Sequence, residues 1–392
     1  MSHEPFPAGD LGRAATNRLR KKATGTNGRC ASVAKNDCFG VVLSSAAEIR
    51  ALESTAKRFM RMEDTMLSPG FFLASLSNGW RPKVVAVCRE RDIIGILYAR
   101  ERTIKGIPTG IVYADGSLSS ILLADPLYHK RAFHTAIEAL LASPRIRTMR
   151  LRILHSSRDF DGAMQLTSSA SHDVQYFPVK DHSSPLWKNH AHLRLAHSYD
   201  QFLNGLGSTT RHNFRYYRRR FEASGHSFVE HLSVNELRSG ALSLFPKSKY
   251  TARSPEPWID DHLQMVTASS RPLGVGLKHS DGRWLSVLGG WYTPGGAVLR
   301  FQCNNEIDFG HDSLSVVLRA YLIELLIRQG FKELVIWGDT GPPLSRYVTY
   351  ADTIEVRVDV KSPSWRMARS IVSILEPILP HRLAAAAHWI VD

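Results

Sequence analysis

"AVLRFQCNNEIDFGHDSLSVVLRAYLIELLIRQGFKELVIWGD", residues 297 to 339, reads as a strand, a loop, a helix and a second strand. Leu314, Val317, Leu318, Tyr321 and Leu325 recur at helical spacing, and Gly330 supplies the stop that a left-handed C-terminal cap requires. "ELVIWGD" after it is a short buried strand. Upstream, "PLGVGLKHSDGRWLSVLGGWYTPGGAVLRFQC" breaks into three strands at the turns Asp281-Gly282 and Pro294-Gly295-Gly296, and "WIDDHLQMVTASS" suits a helix.

Further toward the N-terminus, "STTRHNFRYYRRRFEASG" carries five arginines between Arg211 and Arg220 and reads as a helix closed at Gly225. At about 100° per residue, Phe214, Tyr217 and Phe221 share a core-facing stripe, while Arg211, Arg215, Arg218 and Arg219 form the adjoining one. That basic stripe is either a solvated face or an anion-binding one. Bases stacked on aromatics need rings facing solvent, so this division argues against a nucleic-acid platform.

The first half follows a related order. A helix over 46–62, a hairpin around Arg89–Asp92, a helix from Asp125-Pro126 to Pro144 and a strand in "RIRTMRLRIL", with its basic residues expected outward, are followed by strands in "DVQYFPV" and "HAHLRLAHS". Two similar α/β halves are expected, 41–200 and 201–392, each a mostly antiparallel sheet flanked by helices. Residues 1–40 lack periodicity and read as a disordered basic tail. "TIEVRVDV" is one more strand. The closing "SWRMARSIVSILEPILPHRLAAAAHWIVD" sets Trp365, Met367, Ile371, Ile374 and Leu375 beside Arg366 and Arg369, for packing on the second half or peripheral contact with an anionic membrane.

The 392 residues are 43% hydrophobic and 22% charged, enough for about two domains. Lys and Arg exceed Asp and Glu by 50 to 36, a net charge of +14 that favours anionic partners without choosing among them. Cys30, Cys38, Cys88 and Cys303 are too scattered for a disulfide framework or a paired zinc site. With no signal peptide or transmembrane segment evident, a soluble cytoplasmic protein without a metal is the expectation.

The 297–339 course, preceded by "TRHNFRYYRRR", resembles the GNAT superfamily and more particularly its two-domain FemAB-like and CelD-like members. The likeness spans roughly residues 45 to 360 and implies an acyltransferase of two tandem GNAT-like halves. Its donor would be a thioester, acyl-CoA or an acyl carrier protein, and its acceptor an amine or hydroxyl. Carried over by position, Phe301, Gln302, Cys303, Asn304, Gly310, His311, Asp312 and Ser313 hold the donor, and Arg211, Arg215, Trp337 and Asp339 border the acceptor. The phosphate-loop pattern of the family is reduced to one glycine in Ile307-Asp308-Phe309-Gly310-His311-Asp312, and Asp312 opposes a diphosphate. A non-catalytic binding protein on a degenerate fold and an aminoacyl-tRNA-dependent transferase therefore stay open.

Acyl transfer to an amine needs a base for the nucleophile and an acid for the departing thiolate. Glu306 and Asp308, at the strand-to-helix junction, are the base candidates, and Tyr347 is the acid candidate. Each has a plainer reading: solvated loop carboxylates, a packed tyrosine, and Asp312 or Ser313 as a helix cap.

Overall fold

The computed structural model describes residues 38–60, 65–90, 92–143, 145–179, 190–248, 254–338, 340–341 and 343–361. Most of the expected basic tail, the closing amphipathic segment and Asp339 lie outside the described residues. The chain divides into two compact units, one of residues up to Met60 with Leu67–Lys180 and the stretch from Asp352, the other of Arg61–Met66 with Asp181–Ala351.

The first unit opens with β1 (Cys38–Leu43), inside the stretch read as tail, then α1 (Ala46–Arg50), α2 (Glu53–Phe59) and α3 (Pro69–Ala74). The single helix expected over 46–62 is thus two, separated by a turn that leaves both Ile49 and Leu52 buried. Next come β2 (Trp80–Pro82), β3 (Val84–Arg89), β4 (Asp92–Leu97), β5 (Arg100–Ile104), β6 (Ile107–Asp115), β7 (Leu122–Ala124), α4 (His129–Leu141), β8 (Thr148–Leu154), α5 (Asp159–Ala163) and β9 (His172–Pro178). One sheet runs β1-β3-β4-β7. The other runs β2-β5-β6-β8-β17-β9, where β17 (Thr353–Val360) enters from the far end of the chain.

That entry corrects the expectation for "RIRTMRLRIL". Arg150 and Arg152 are 8% and 1% exposed because β17 lays acids beside them. Arg150 Nε lies 2.9 Å from Glu355 Oε1, an ion pair at an angle poor for a hydrogen bond. Thr148 Oγ1 donates to Asp359 at 2.8 Å, and Arg357 pairs with Asp359 at 2.9 Å. Charges of both signs therefore fill a face that would be solvated on an isolated strand.

The second unit contains β10 (Ala191–Arg194), α6 (Tyr199–Asn204), α7 (Ser208–Ala223), β11 (Ser227–Val229), α8 (Val234–Leu244), α9 (Pro255–Ala268), β12 (Pro272–Lys278), β13 (Trp284–Thr293), β14 (Gly296–Asn304), α10 (Glu306–Phe309), α11 (Leu314–Arg328), β15 (Glu333–Ile336) and β16 (Val348–Tyr350). Its sheet order is β11-β12-β13-β14-β15-β10-β16. On one face α11 packs with Leu273, Leu299 and Leu334, and Phe214 and Phe221 of α7 join that core, as their stripe foretold. On the other, α8 and α9 enclose Phe301 and Cys303. Both units are mixed α/β structures with mostly antiparallel sheets.

Candidate active site

The second sheet holds one parallel pair, β14 with β15, in register from Gly296↔Glu333 to Leu299↔Ile336. Trp337 N–H to Leu299 O, 2.8 Å, is the last rung. β14 continues to Asn304 with β13 on one side and, among the described residues, no strand on the other. The parting coincides with a bulge: Gly289 faces Phe301 and Gly290 faces Leu299, so Arg300 is the extra residue. A Cβ on Gly290 would sit 1.9 Å from Val298 O, a distance that only glycine avoids.

Below the parting, the side chains of Gln302 and Asn304 form a buried polar wall. Asn304 Oδ1 accepts from Ser286 Oγ at 2.6 Å and from Gln302 Nε2 at 2.9 Å. Arg319 of α11 reaches Gln302 Oε1 at 3.4 Å and Thr340 Oγ1 at 3.0 Å. Phe301 and Cys303 point the other way, into apolar core, so only their backbone can meet a donor. Burial pushes the Cys303 thiol up to about 12, which removes it as a thiolate nucleophile. Trp337, at the divergence, packs on His190 at 4.4 Å and Trp291 at 5.6 Å between ring centroids, with the Arg300 guanidinium 4.8 Å over its ring.

The loop after β14 is held by its own side chains. Asn305 caps α10 by accepting the Asp308 N–H, and its amide donates to Asp308 Oδ2 at 2.9 Å. Lys247 binds the same oxygen at 2.6 Å, and these two hydrogen bonds draw the Asp308 carboxyl below its ordinary range. Glu306 receives the Asn304 amide at 3.4 Å. Gly310–Asp312 form a 3₁₀ turn, and Ser313 enters α11 at φ 46° with its carbonyl accepting from Val316 and Val317. Asp312 pairs with Arg220 at 3.0 Å, so its charge is compensated from α7. Beside the loop, Lys247, His279, Arg283 and Asn305 rim a cavity of about 290 Å³ with Trp284 and Phe309 among its apolar lining.

A solved structure of FemX is similar over 84% of this chain and 99% of that chain, with 9% identity and a TM-score of 0.58. The chain has a two-domain GNAT-like, FemAB-like fold. Lower-scoring similarities include L-PGS from Bacillus licheniformis, at 10% identity, 77% and 90% coverage and a TM-score of 0.45. Another is a tandem GNAT protein from the clavulanic acid biosynthesis pathway, at 13%, 83%, 99% and 0.41. No family model and no curated protein matches the sequence.

Within the second GNAT-like half, the expected site residues form separate groups. Tyr347 is not at the loop: its hydroxyl accepts the Gly207 N–H at 2.8 Å, at the start of α7, while Arg220 near the end of that helix holds Asp312. At 1.5 Å per residue those anchor points are about 20 Å apart. Hydrogen bonds from Thr210 and Gly207 lower the Tyr347 phenol. Arg211 and Arg215 follow Tyr347 along α7, and among the described residues no ion pair holds them. Arg218 is structural, bound to Glu222 and Glu324 at 2.9 and 2.8 Å and stacked 4.3 Å over Tyr321. Sequence reasoning missed Ser286, Arg319, Thr340, Lys247 and Arg300. No local pattern marks them; register and packing bring them to the site.

Proposed function

We propose that the second half transfers an acyl group from a thioester donor, acyl-CoA or an acyl carrier protein, to an amine or hydroxyl. The observation that carries this reading is the open edge of β14. Over Arg300–Asn304 alternate backbone N–H and C=O groups face no strand of the described residues, and an extended ligand bearing amides, such as pantetheine, can pair with them as a further strand would. Gln302 and Asn304 flank that line, and the loop Gly310–Ser313 stands at its end, where the start of α11 suits a phosphate.

Of the two base candidates, Glu306 suits the role better. Asp308 is held ionised by Lys247 and Asn305, and a carboxylate with a lowered pKa is a weaker base. Tyr347, tied to the end of α7 away from Asp312, is not adjacent to Glu306 or Asp308 in the loop, so the acid and base candidates are not brought together. Its displacement favours a second reading, a protein that binds the donor and leaves it intact.

Thermal shift with acetyl-CoA, longer acyl-CoAs and acylated carrier protein tests the first step, with stabilisation by at least one expected. If none stabilises the protein, the donor site is refuted. Release of free thiol from a bound acyl-CoA in the presence of amines would remove the binding-only reading.

A further inference from the structure

We propose that Arg300, at the bulge where β14 leaves β15, anchors the carboxylate of a small α-amino acid, with Asp261 facing its ammonium group. As an acceptor this amino acid rests on the acyl-transfer reading; as a ligand it does not.

Arg300 differs from five other arginines of the same unit. Arg218, Arg220, Arg238, Arg283 and Arg328 each have a carboxylate oxygen within ion-pair distance. Among the described residues Arg300 has none, and its Nε is closed off from solvent without a hydrogen-bond partner. Burial, opposed by the charge of Asp261 on α9, pulls its guanidinium down to about 10, so it remains charged at neutral pH. A desolvated cation without an ion pair is costly in a finished core and useful in a site that a ligand completes.

The surroundings select the ligand. The two Nη groups of a guanidinium form a planar end-on fork that matches both oxygens of a carboxylate, and those of Arg300, unlike its Nε, are not closed off. Trp337 lies under that plane, with His190 and Trp291 packed on its indole, so the floor is flat and apolar. Asp261 lies on α9 beside His262, and the rings of Trp258 and His262 pack 6.1 and 5.7 Å from that of Phe301, next to Arg300; among the described residues no ion pair joins Asp261 to Arg300. A separated cation and anion complement a zwitterion, which brings carboxylate to one and ammonium to the other. The bulge turns Arg300 out of the ladder beside the open edge, where an acceptor must come to meet a thioester.

Calorimetric titration of the protein with the twenty amino acids and the amines left when each loses its carboxyl group tests the proposal. At least one amino acid is expected to bind about 10- to 100-fold tighter than its amine. Arg300→Gln should abolish that preference, and Arg300→Lys should restore little of it, because the charge returns without the fork. Asp261→Asn leaves Arg300 in place and guards against a folding artefact; it should weaken the amino acid but not the acid lacking the amino group. Equal binding of amino acid and amine, no binding by any amino acid, or a preference that survives Arg300→Gln overturns the proposal. Carboxylate preference without stabilisation by any acyl donor would refute acyl transfer alone; donor stabilisation without the preference would refute this inference alone.

Discussion

Each half of the molecule contains a parallel strand pair bridged by a helix, and the two pairs end differently. In the first, β6 stays in register with β8 to its last residue, Asp115 opposite Arg152, and Gly116 N–H adds another bond to Arg152 O at 2.8 Å. In the second, β14 follows β15 for Gly296–Leu299 and then runs on without it. The closed pair is part of a sheet packed with buried charges. The open pair is bordered by amides, a hydroxyl and an arginine that has no ion pair among the described residues. One arrangement serves cohesion and the other leaves a strand edge unpaired among the described residues.

The sharpest way to break this comparison is to remove one carboxylate from each half. Glu355→Ala leaves Arg150 buried without its partner and should cost about 3–5 kcal/mol in denaturant unfolding. Glu306→Gln should shift stability by less than about 0.5 kcal/mol and slow transfer roughly 10²- to 10⁴-fold once a donor is known. If both variants lose stability alike, the loop is structural and the contrast fails. Gly290→Ala forces a methyl against Val298 O and should cost about 1–3 kcal/mol, with weaker donor binding because the bulge must shift. Donor affinity unaffected by that change would mean that the bulge does not shape the site.

The smallest expected effect concerns pH. Burial first, and the charge of His279 second, lower the His226 pKa below its ordinary value. The folded state then binds fewer protons than the unfolded one, so this contribution is full above about pH 6.5 and is lost as pH falls through the folded value. His226 and His279 both pack near Phe309 of the loop. Melting temperature between pH 7 and 5 should fall less steeply in His226→Asn than in the parent chain, and an identical slope would exclude the linkage.

What the sequence made legible was local. Helical spacing announced α11, turn residues placed the hairpins of β12–β14, and the aromatic stripe of α7 identified Phe214 and Phe221 as core. Helix α8 was passed over although Ser233 and Glu236 form the capping box that marks its start. Exposed Tyr216, stacked on His212, departs from the inward aromatics of the same helix. Nonlocal facts stayed hidden. Arg150 and Arg152 looked solvent-facing because the acids beside them lie some two hundred positions later, and the parting of β14 from β15 is a matter of register that composition does not encode.

The place of β17 bears on how the chain is made. It lies between β8 and β9, and β9 has no other strand neighbour in the described sheet. The ribosome therefore delivers every other strand of that sheet before residue 353 emerges. At about 5–20 residues per second, β9 waits roughly 10–40 s for its partner while the whole second unit is synthesised. During that interval an unfinished strand edge is available to chaperones or to a neighbouring nascent chain. Severing the chain between the units would make the wait permanent.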